Sequence, residues 1–212
     1  MRYFCNKYPG RVLNAAIDRY VYVSLSFPFD KKILVRYSKN ELVKDIEKIK
    51  HTRVKAALNY FKFKNPDSGL EITSTADIPS RGTGLGSSSS YTVGLVKALS
   101  KALDRNFDKR RLAELACHLE IDVLGEPIGK QDQYAVSFGG ANLMTFKKNG
   151  SVLVKDLELS LARKKELEKY LIMVYTGMVR SASGILTEQK NNFKKNMPFL
   201  IKMADIAEEG AE

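Results

Sequence analysis

The stretch that decides the fold reads Arg81-Gly82-Thr83-Gly84-Leu85-Gly86-Ser87-Ser88-Ser89-Ser90. It follows a predicted strand and precedes a predicted helix. Glycines at alternate positions (Gly82, Gly84 and Gly86) permit positive φ and allow a ligand to approach the backbone closely. The N–H groups of such a loop, and the positive end of the helix after it, attract an anion. The stretch therefore predicts a loop that binds phosphate.

Neither of two well-known phosphate loops fits this stretch. A Walker loop needs Gly-Lys followed by Ser or Thr, and the dinucleotide fingerprint needs its third glycine one position later. The serines from Ser87 to Ser90 can cap the helix and offer hydroxyl groups to a phosphate or a magnesium ion. A flexible serine-rich loop before a capped helix is the alternative that needs no ligand.

The flanking sequence predicts a mixture of strands and helices. Period-two alternation predicts strands at Arg19–Leu25 and Leu70–Ala76, with Lys32–Tyr37 as the hairpin partner of the first. Helical spacing predicts helices at Glu41–Tyr60, Ser88–Ala102 and Asp108–Leu124. The last third predicts a hairpin, a buried strand and a helix: Ala141–Phe146 with Ser151–Val154, Tyr170–Tyr175, and Ile185–Ala207. The sequence therefore predicts strands and helices interspersed along the chain.

The composition limits the partners and the compartment. Hydrophobic residues make up 44% of the chain and the formal net charge is +11, which fits a lysine-rich solvated surface or an anionic substrate. No basic stretch interleaves aromatic residues for base stacking, so we do not expect a nucleic-acid partner. No apolar run approaches the ~20 residues of a membrane helix. Cys5 and Cys117 have no metal-ligand spacing, and Cys117 is predicted to be a buried free thiol, which favours the cytoplasm.

Two segments of the chain resemble a known superfamily. Pro79–Ser90 resembles the central motif of the GHMP kinases, which include galactokinase, homoserine kinase, mevalonate kinase and phosphomevalonate kinase. Gly129-Lys130-Gln131-Asp132-Gln133-Tyr134, continuing to Phe138-Gly139-Gly140, resembles the Gly-x-x-Asp-Gln segment of its sugar-kinase branch. The first resemblance implies that ATP phosphates contact Gly82, Thr83, Gly84, Leu85, Gly86, Ser87, Ser88 and Ser89.

The resemblance also implies roles for acidic residues. Phosphoryl transfer needs phosphate positioning, a metal ion and a group that orients or deprotonates the attacking hydroxyl. Asp132 is the expected base or orienting group, with a turn aspartate as the alternative. Glu120 lies twelve residues before Asp132, where galactokinase-like enzymes carry an acidic magnesium ligand, and it is expected to bind Mg²⁺ with Ser88 or Ser87. A solvated helix acid is the alternative for Glu120. Lys130 is expected to assist catalysis, or else to be an exposed lysine.

A third segment narrows the branch. Tyr175-Thr176-Gly177-Met178-Val179-Arg180-Ser181-Ala182-Ser183-Gly184-Ile185-Leu186, with Glu188-Gln189, resembles the start of the second domain in D-glycero-D-manno-heptose 7-phosphate kinases. The backbone at Thr176 and Gly177 and the guanidinium of Arg180 are expected to bind an anionic group of the substrate. Arg180 as a surface salt-bridge partner is the alternative. Gln131 is also assigned to the substrate.

The resemblance implies a two-domain fold of the α+β class. Residues 1–161 are expected to form a GHMP kinase-like mixed N-terminal, nucleotide-binding domain, and residues 162–212 the beginning of a ferredoxin-like C-terminal domain. Relative to the family pattern, the chain is expected to lack a first strand with a Gly-Gly-Gly-Thr-Asp turn and a glycine-rich motif far downstream. Weak nucleotide binding and poor turnover are expected for a chain without them.

The functional expectation is ATP-dependent phosphorylation of a sugar phosphate at its anomeric hydroxyl. The favoured conversion is D-glycero-D-manno-heptose 7-phosphate to the 1,7-bisphosphate, with ATP and Mg²⁺ as cofactors. A kinase of another sugar, of the fucose or galactose type, is one alternative. A non-catalytic relative or an inactive fragment is another. Neither nucleic acid nor a membrane is expected as a partner, and a homodimer is left open.

Overall fold

The structure, a computed structural model, describes residues 7–64, 68–78, 84–174 and 191–212. The chain divides into two compact units. The central unit is Asp18–Phe138, and the split unit combines Met1–Ile17 with Gly139–Glu212. Helices occur with both antiparallel and parallel strand pairs, which confirms the α+β class. The domain boundary at residues 161 and 162, and the ferredoxin-like form of the second domain, remain predictions.

The described elements follow in chain order. The strands are β1 (Gly10–Ala15), β2 (Val21–Ser26), β3 (Ile33–Arg36), β4 (Asn40–Val43), β5 (Leu70–Ala76), β6 (Ala141–Phe146) and β7 (Val152–Asp156). The helices are α1 (Thr52–Tyr60), α2 (Ser87–Ala102), α3 (Lys109–Cys117), α4 (Gln131–Phe138), α5 (Leu161–Glu168) and α6 (Phe193–Glu209). A 3₁₀ turn occupies Ile46–Lys48, and a π-helix at His118–Val123 continues directly from α3.

The sheet of the central unit has the strand order β2-β5-β3-β4. β2 and β5 are antiparallel, with Val23 opposite Ser74, whereas β3 and β5 are parallel, with Val35 opposite Ile72. The predicted hairpin between Arg19–Leu25 and Lys32–Tyr37 is therefore wrong, although both segments are strands. β5 lies between them, and its Leu70 and Ile72 are fully buried, as are Ile33 and Val35 of β3. Local alternation predicts a strand but does not reveal its distant neighbour.

The predicted helix at Glu41–Tyr60 is wrong in its first half. Its beginning is β4, which forms the actual hairpin with β3. The carboxylate of Glu41 accepts hydrogen bonds from the Tyr37 hydroxyl (2.7 Å) and the Lys50 N–H (2.6 Å), which fixes the turn before the helix. The helix α1 starts only after His51, whose Nδ1 accepts from the Val54 N–H at 3.4 Å. Pairing with β3 thus overrides the helical spacing of the apolar residues.

The core of the central unit packs α1, α2 and α3 against this sheet. Its fully buried side chains include Leu58 of α1, Leu95 and Leu99 of α2, and Ile33 and Ile72 of the sheet. Burying each such side chain contributes about 1.5–3 kcal/mol. At Gly94 the backbone of α2 lies so close to β2 that an added Cβ would be 3.1 Å from Val23 Cγ2. This packing fixes the helix whose start carries the glycine-rich loop.

The split unit is built on a second sheet with the order β1-β6-β7. β6 and β7 form the predicted hairpin, with Met144 opposite Val154, and β6 also pairs antiparallel with β1. α6 packs on β1, and Arg11 bridges to Glu208 at 3.2 Å. The predicted helix at Ile185–Ala207 is confirmed from Phe193 onward, while residues 185–190 lie outside the described ranges.

The predicted buried strand at Tyr170–Tyr175 is wrong over its described part. Residues 171–174 have no regular secondary structure, and Ile172 is 89% exposed. Aromatic and β-branched residues favour a strand only where a neighbouring strand can pair with them and a core can cover one face. In the part of the chain that the structure describes, no strand pairs with this segment.

Two smaller predictions have clear outcomes. Cys117 is a buried free cysteine, as predicted, and burial raises the pKa of its thiol to about 12. Cys5 lies outside the described residues. Among the helices that the structure describes, none is long and apolar enough to cross a membrane.

Candidate active site

The described part of the glycine-rich loop leads into α2 through left-handed backbone. Gly84 has φ +70° and Gly86 has φ +72°, a region that residues with a Cβ rarely adopt. Gly86 is the N-cap of α2, and within the described residues no side chain caps this helix start. The first-turn N–H groups of an α-helix have no acceptor inside the helix, and they carry its positive dipole end. The geometry from Gly84 to Ser88 therefore fits an anion site. Gly82 and Thr83 lie outside the described residues.

The serines at the start of α2 have different surroundings. Ser88 is exposed on the first turn. Ser89 is buried and donates its hydroxyl hydrogen to Glu120 Oε2 at 2.9 Å, while Ser90 donates to the carbonyl of Gly86 at 3.0 Å. Ser88 and Ser89 were both expected to contact ATP. The structure places the Ser88 hydroxyl where a ligand can reach it and the Ser89 hydroxyl on a protein carboxylate.

Glu120 is a fully buried acid at the centre of a polar cluster. Its Oε1 accepts from Thr92 Oγ1 at 2.8 Å and from Arg53 Nε at 3.2 Å. Its Oε2 accepts from Ser89 Oγ and from Gln133 Nε2. The alternative of a solvated helix acid is therefore wrong. Glu120 lies on the π-helix, in whose widened turn the Leu124 N–H donates to the Leu119 carbonyl at 3.0 Å, and π-helices are frequent at functional sites.

The sequence did not predict three members of this cluster as site residues. Arg53 lies 67 residues from Glu120 in the sequence, and its Nη2 also donates to Glu126 Oε1. Thr92 and Gln133 stand inside segments that were singled out for other residues. One signal could have pointed to Arg53, because a cation in the first turn of a helix opposes the helix dipole. Such a residue usually has a compensating partner elsewhere in the fold.

Asp132 lies in the first turn of α4, against the start of α2. A Cβ placed on Gly86 would be 3.6 Å from Asp132 Cγ, so the carboxyl group borders the loop. Partial burial raises the pKa of Asp132, a hydrogen bond from Gln131 lowers it, and the charge of Glu120 raises it further. The net pKa is above the usual aspartate value. A half-buried carboxyl group with a raised pKa beside an anion site has the properties of a general base.

The remaining predicted site residues divide into two groups. Lys130 is half-buried just before α4, and its carbonyl accepts from the Tyr134 N–H at 3.4 Å. Gln131 is exposed and bonds to Asp132, while its role toward a substrate remains a prediction. Thr176, Gly177 and Arg180 lie outside the described residues.

The fit of a magnesium ion differs between the two predicted ligands. The exposed hydroxyl of Ser88, at a helix start beside Asp132, suits an ion that arrives with a phosphate. The carboxylate of Glu120 has about four lone-pair positions, and four donors occupy them. Direct ligation by Glu120 would require one of these donors to move. Within the described ranges, no group of three or more His, Cys, Asp or Glu side chains is arranged to hold a metal ion.

Sequence comparisons find similarity to kinases. Residues 52–140 match the profile of the family described as GHMP kinases N terminal domain. A D-glycero-alpha-D-manno-heptose 7-phosphate kinase from Campylobacter jejuni is 32% identical over 196 residues, which cover 88% of this chain and 58% of that protein. A galactokinase from Pyrococcus furiosus is 30% identical over 135 residues, which cover 63% of this chain and 36% of that enzyme. The chain thus spans less than two thirds of either relative.

A comparison of folds agrees with this result. The crystal structure of a D-glycero-D-manno-heptose 1-phosphate kinase from Bacteroides thetaiotaomicron superposes with a TM-score of 0.70 at 25% identity. The match covers 91% of this chain and 67% of that one. The mixed α+β fold predicted from the sequence is therefore the fold of a solved kinase structure.

Proposed function

On the match of residues 52–140 to the GHMP kinases N terminal domain family, we propose that the protein transfers a phosphoryl group from ATP to a sugar phosphate. The observation that carries the proposal is the contact between two parts of the site. Asp132 Cγ lies 3.6 Å from the position of a Cβ on Gly86, the residue that opens α2. A group able to take a proton therefore borders the place where the γ-phosphate would be held.

Each residue of the site has a defined task in this proposal. Gly84, Gly86 and the first turn of α2 bind the phosphates through N–H groups and the helix dipole. Asp132 orients the acceptor hydroxyl and receives its proton as the hydroxyl oxygen attacks the γ-phosphorus and the bond to ADP breaks. The raised pKa of Asp132 strengthens it as a base. Lys130, next to α4, is proposed to assist by stabilising the charges around Asp132 or the phosphate.

Magnesium is proposed to arrive with ATP. When bound, it would neutralise charge on the β- and γ-phosphates. The exposed Ser88 hydroxyl is the protein ligand that fits best. Glu120 remains a proposed second ligand of the magnesium ion. Because four donors already occupy its carboxylate, an indirect contribution to the magnesium site through Ser89 is the simpler proposal.

The proposed acceptor is D-glycero-D-manno-heptose 7-phosphate, phosphorylated at the anomeric hydroxyl to the 1,7-bisphosphate. The Campylobacter relative supports the 7-phosphate, whereas the Bacteroides structure is described as a kinase of the 1-phosphate. Gln131, Thr176, Gly177 and Arg180 are the proposed substrate contacts. Cytoplasmic location, and ATP and the sugar phosphate as the partners, complete the proposal.

One observation supports a different phosphoryl acceptor. The galactokinase from Pyrococcus furiosus is almost as similar over the region it shares with this chain. The second candidate is therefore phosphorylation of a neutral sugar such as galactose or L-fucose at the same ATP site. A non-catalytic protein that binds ATP without transferring its phosphate is the third.

The test is ADP release with a panel of acceptors. The heptose 7-phosphate, the heptose 1-phosphate, L-fucose and galactose are supplied at equal concentration with Mg²⁺ and ATP, and Asp132→Asn serves as the control. We expect the highest kcat/KM with the 7-phosphate. A preference for a neutral sugar would replace the proposed acceptor. If the protein binds a non-hydrolysable ATP analogue but forms no ADP from ATP with any of the acceptors, the result would favour the non-catalytic protein.

A further inference from the structure

Arg53 bridges two acids in the interior of the central unit. Its Nε lies 3.2 Å from Glu120 Oε1, and its Nη2 bonds to Glu126 Oε1. The Arg53 side chain is 20% exposed and that of Glu120 is 0% exposed. A buried carboxylate needs both hydrogen bonds and a compensating charge. The other described donors to Glu120 are a serine, a threonine and an amide, so Arg53 supplies the positive charge of this group.

Glu120 in turn connects both halves of the proposed site. Ser89, which donates to Glu120, is the third residue of α2 and adjoins Ser88. Gln133, which also donates to Glu120, adjoins Asp132 on α4. One carboxylate therefore holds both the start of the phosphate-binding helix and the helix of the proposed base. A displacement of that carboxylate would move both.

The two donors of Arg53 explain why this cation is an arginine. A guanidinium is planar and directs several N–H groups along fixed vectors, so one side chain can hold Glu120 and Glu126 at the same time. A lysine offers a single ammonium centre on a flexible stem. Arg53 also stands in the first turn of α1, where the helix dipole disfavours a cation, so its position is not explained by helix stability.

We propose that Arg53 is a positioning residue for phosphoryl transfer: its guanidinium fixes the buried Glu120 carboxylate, and through it the spacing between the α2 start and Asp132. This inference rests on the proposed function. Arg53 acts through Glu120 and does not itself touch the nucleotide. Its loss should therefore weaken nucleotide binding without magnesium as well as with it.

The test compares Arg53→Gln and Arg53→Lys with Lys55→Gln. Lys55 lies on the same helix and forms a more exposed ion pair with Glu47 at 3.3 Å, away from this cluster. Binding of a non-hydrolysable ATP analogue is measured with Mg²⁺ and with a chelator. We expect Arg53→Gln to weaken binding by roughly 10–100-fold in both conditions, the range typical for residues that orient metal ligands. Arg53→Lys should recover part of the loss, and Lys55→Gln should change little.

A control matched for stability separates positioning from general destabilisation. Ile33→Ala removes fully buried side-chain volume from β3 and lowers the melting temperature through lost packing. All affinities are measured well below the lowest melting temperature. The inference is overturned if Arg53→Gln and Ile33→Ala affect nucleotide affinity alike, or if Arg53→Gln weakens binding only when Mg²⁺ is present.

Hydrogen exchange provides a readout that does not depend on the proposed function. Arg53→Gln should accelerate amide exchange at Ser87–Ser90 and at Gln131–Phe138, while the C-terminal half of α2 keeps its protection. Unchanged exchange in both segments would refute the positioning role even if nucleotide affinity fell. If the unaltered protein binds no nucleotide, the proposed function fails, and the exchange pattern still decides whether Arg53 holds the two segments together.

Discussion

Glu120 and Asp132 are two acids of the same short segment whose surroundings give them opposite properties. Glu120, on the π-helix, is fully buried and accepts from Arg53, Ser89, Thr92 and Gln133. Asp132, at the start of α4, is half-buried, receives a hydrogen bond from Gln131 and has a raised pKa. An acid whose lone pairs are all occupied is held in place, whereas an acid with spare acceptor capacity beside an anion site can exchange a proton. The environment, more than the residue type, assigns the two roles.

The sharpest test of this contrast is removal of the Asp132 carboxylate, the proposed base. Asp132→Asn preserves the shape of the side chain but removes its ability to take a proton. We expect kcat for ADP formation to fall by a factor on the order of 10²–10⁴, the usual contribution of a positioned base. Affinity for a non-hydrolysable ATP analogue should remain nearly unchanged. An unaltered kcat would remove the distinction between the two acids.

The next largest effect is expected at the loop that Asp132 borders. Gly86→Val should abolish ATP binding, because a β-branched residue disfavours φ +72° and its side chain would point at Asp132. The measurement is the affinity for the ATP analogue.

Gly84 offers a matched control for that loop. Gly84→Ala and Gly86→Ala impose the same backbone strain, but a Cβ on Gly84 meets nothing within 4 Å in the described structure, whereas a Cβ on Gly86 meets Asp132 at 3.6 Å. The alanine at position 86 should therefore lower kcat more than the alanine at position 84. Equal losses would mean that strain alone matters and that the contact with Asp132 has no role.

A smaller effect, on stability, is expected when the buried acid is neutralised. Glu120→Gln leaves the Arg53 guanidinium with Glu126 as its remaining acidic partner, and removing one member of a buried pair costs about 3 kcal/mol of unfolding free energy. The double variant Arg53→Gln/Glu120→Gln should recover a large part of that loss because no fully buried charge stays unpaired, while Glu126, which also loses Arg53, is 27% exposed. Urea unfolding of both single variants and the double variant measures the coupling. Purely additive losses would contradict the ion pair.

The sequence predicts the local parts of this site better than the long-range ones. The loop and α2 could be predicted because glycine spacing and helical periodicity lie within a few residues of each other. The insertion of β5 between β2 and β3 pairs residues that are 37 to 55 positions apart in the sequence, and the contact between Arg53 and Glu120 spans 67 residues. Neither contact leaves a periodic pattern. At Tyr170–Val174, the composition of a strand was present, but pairing decides whether such residues form one.

The smallest expected effect is the pH dependence of the stability gained by removing the Asp132 charge. Burial raises the pKa of Asp132 in the folded protein above its ordinary value of 3.8. The folded state therefore holds this proton more tightly than the unfolded state, and the resulting stability is fully present below that ordinary value. It is lost as pH rises through the higher folded pKa. The Asp132→Asn variant has no such carboxylate to ionise and keeps its stability as pH rises. It should be more stable than the unaltered protein at pH 7, and the difference should vanish below about pH 3.8.

Thermal unfolding of both proteins between pH 3 and pH 8 measures this difference in stability. A variant that is less stable at pH 7 would show that hydrogen bonds to the ionised carboxylate outweigh its burial, and Asp132 would then resemble Glu120, a held acid in place of a reactive one.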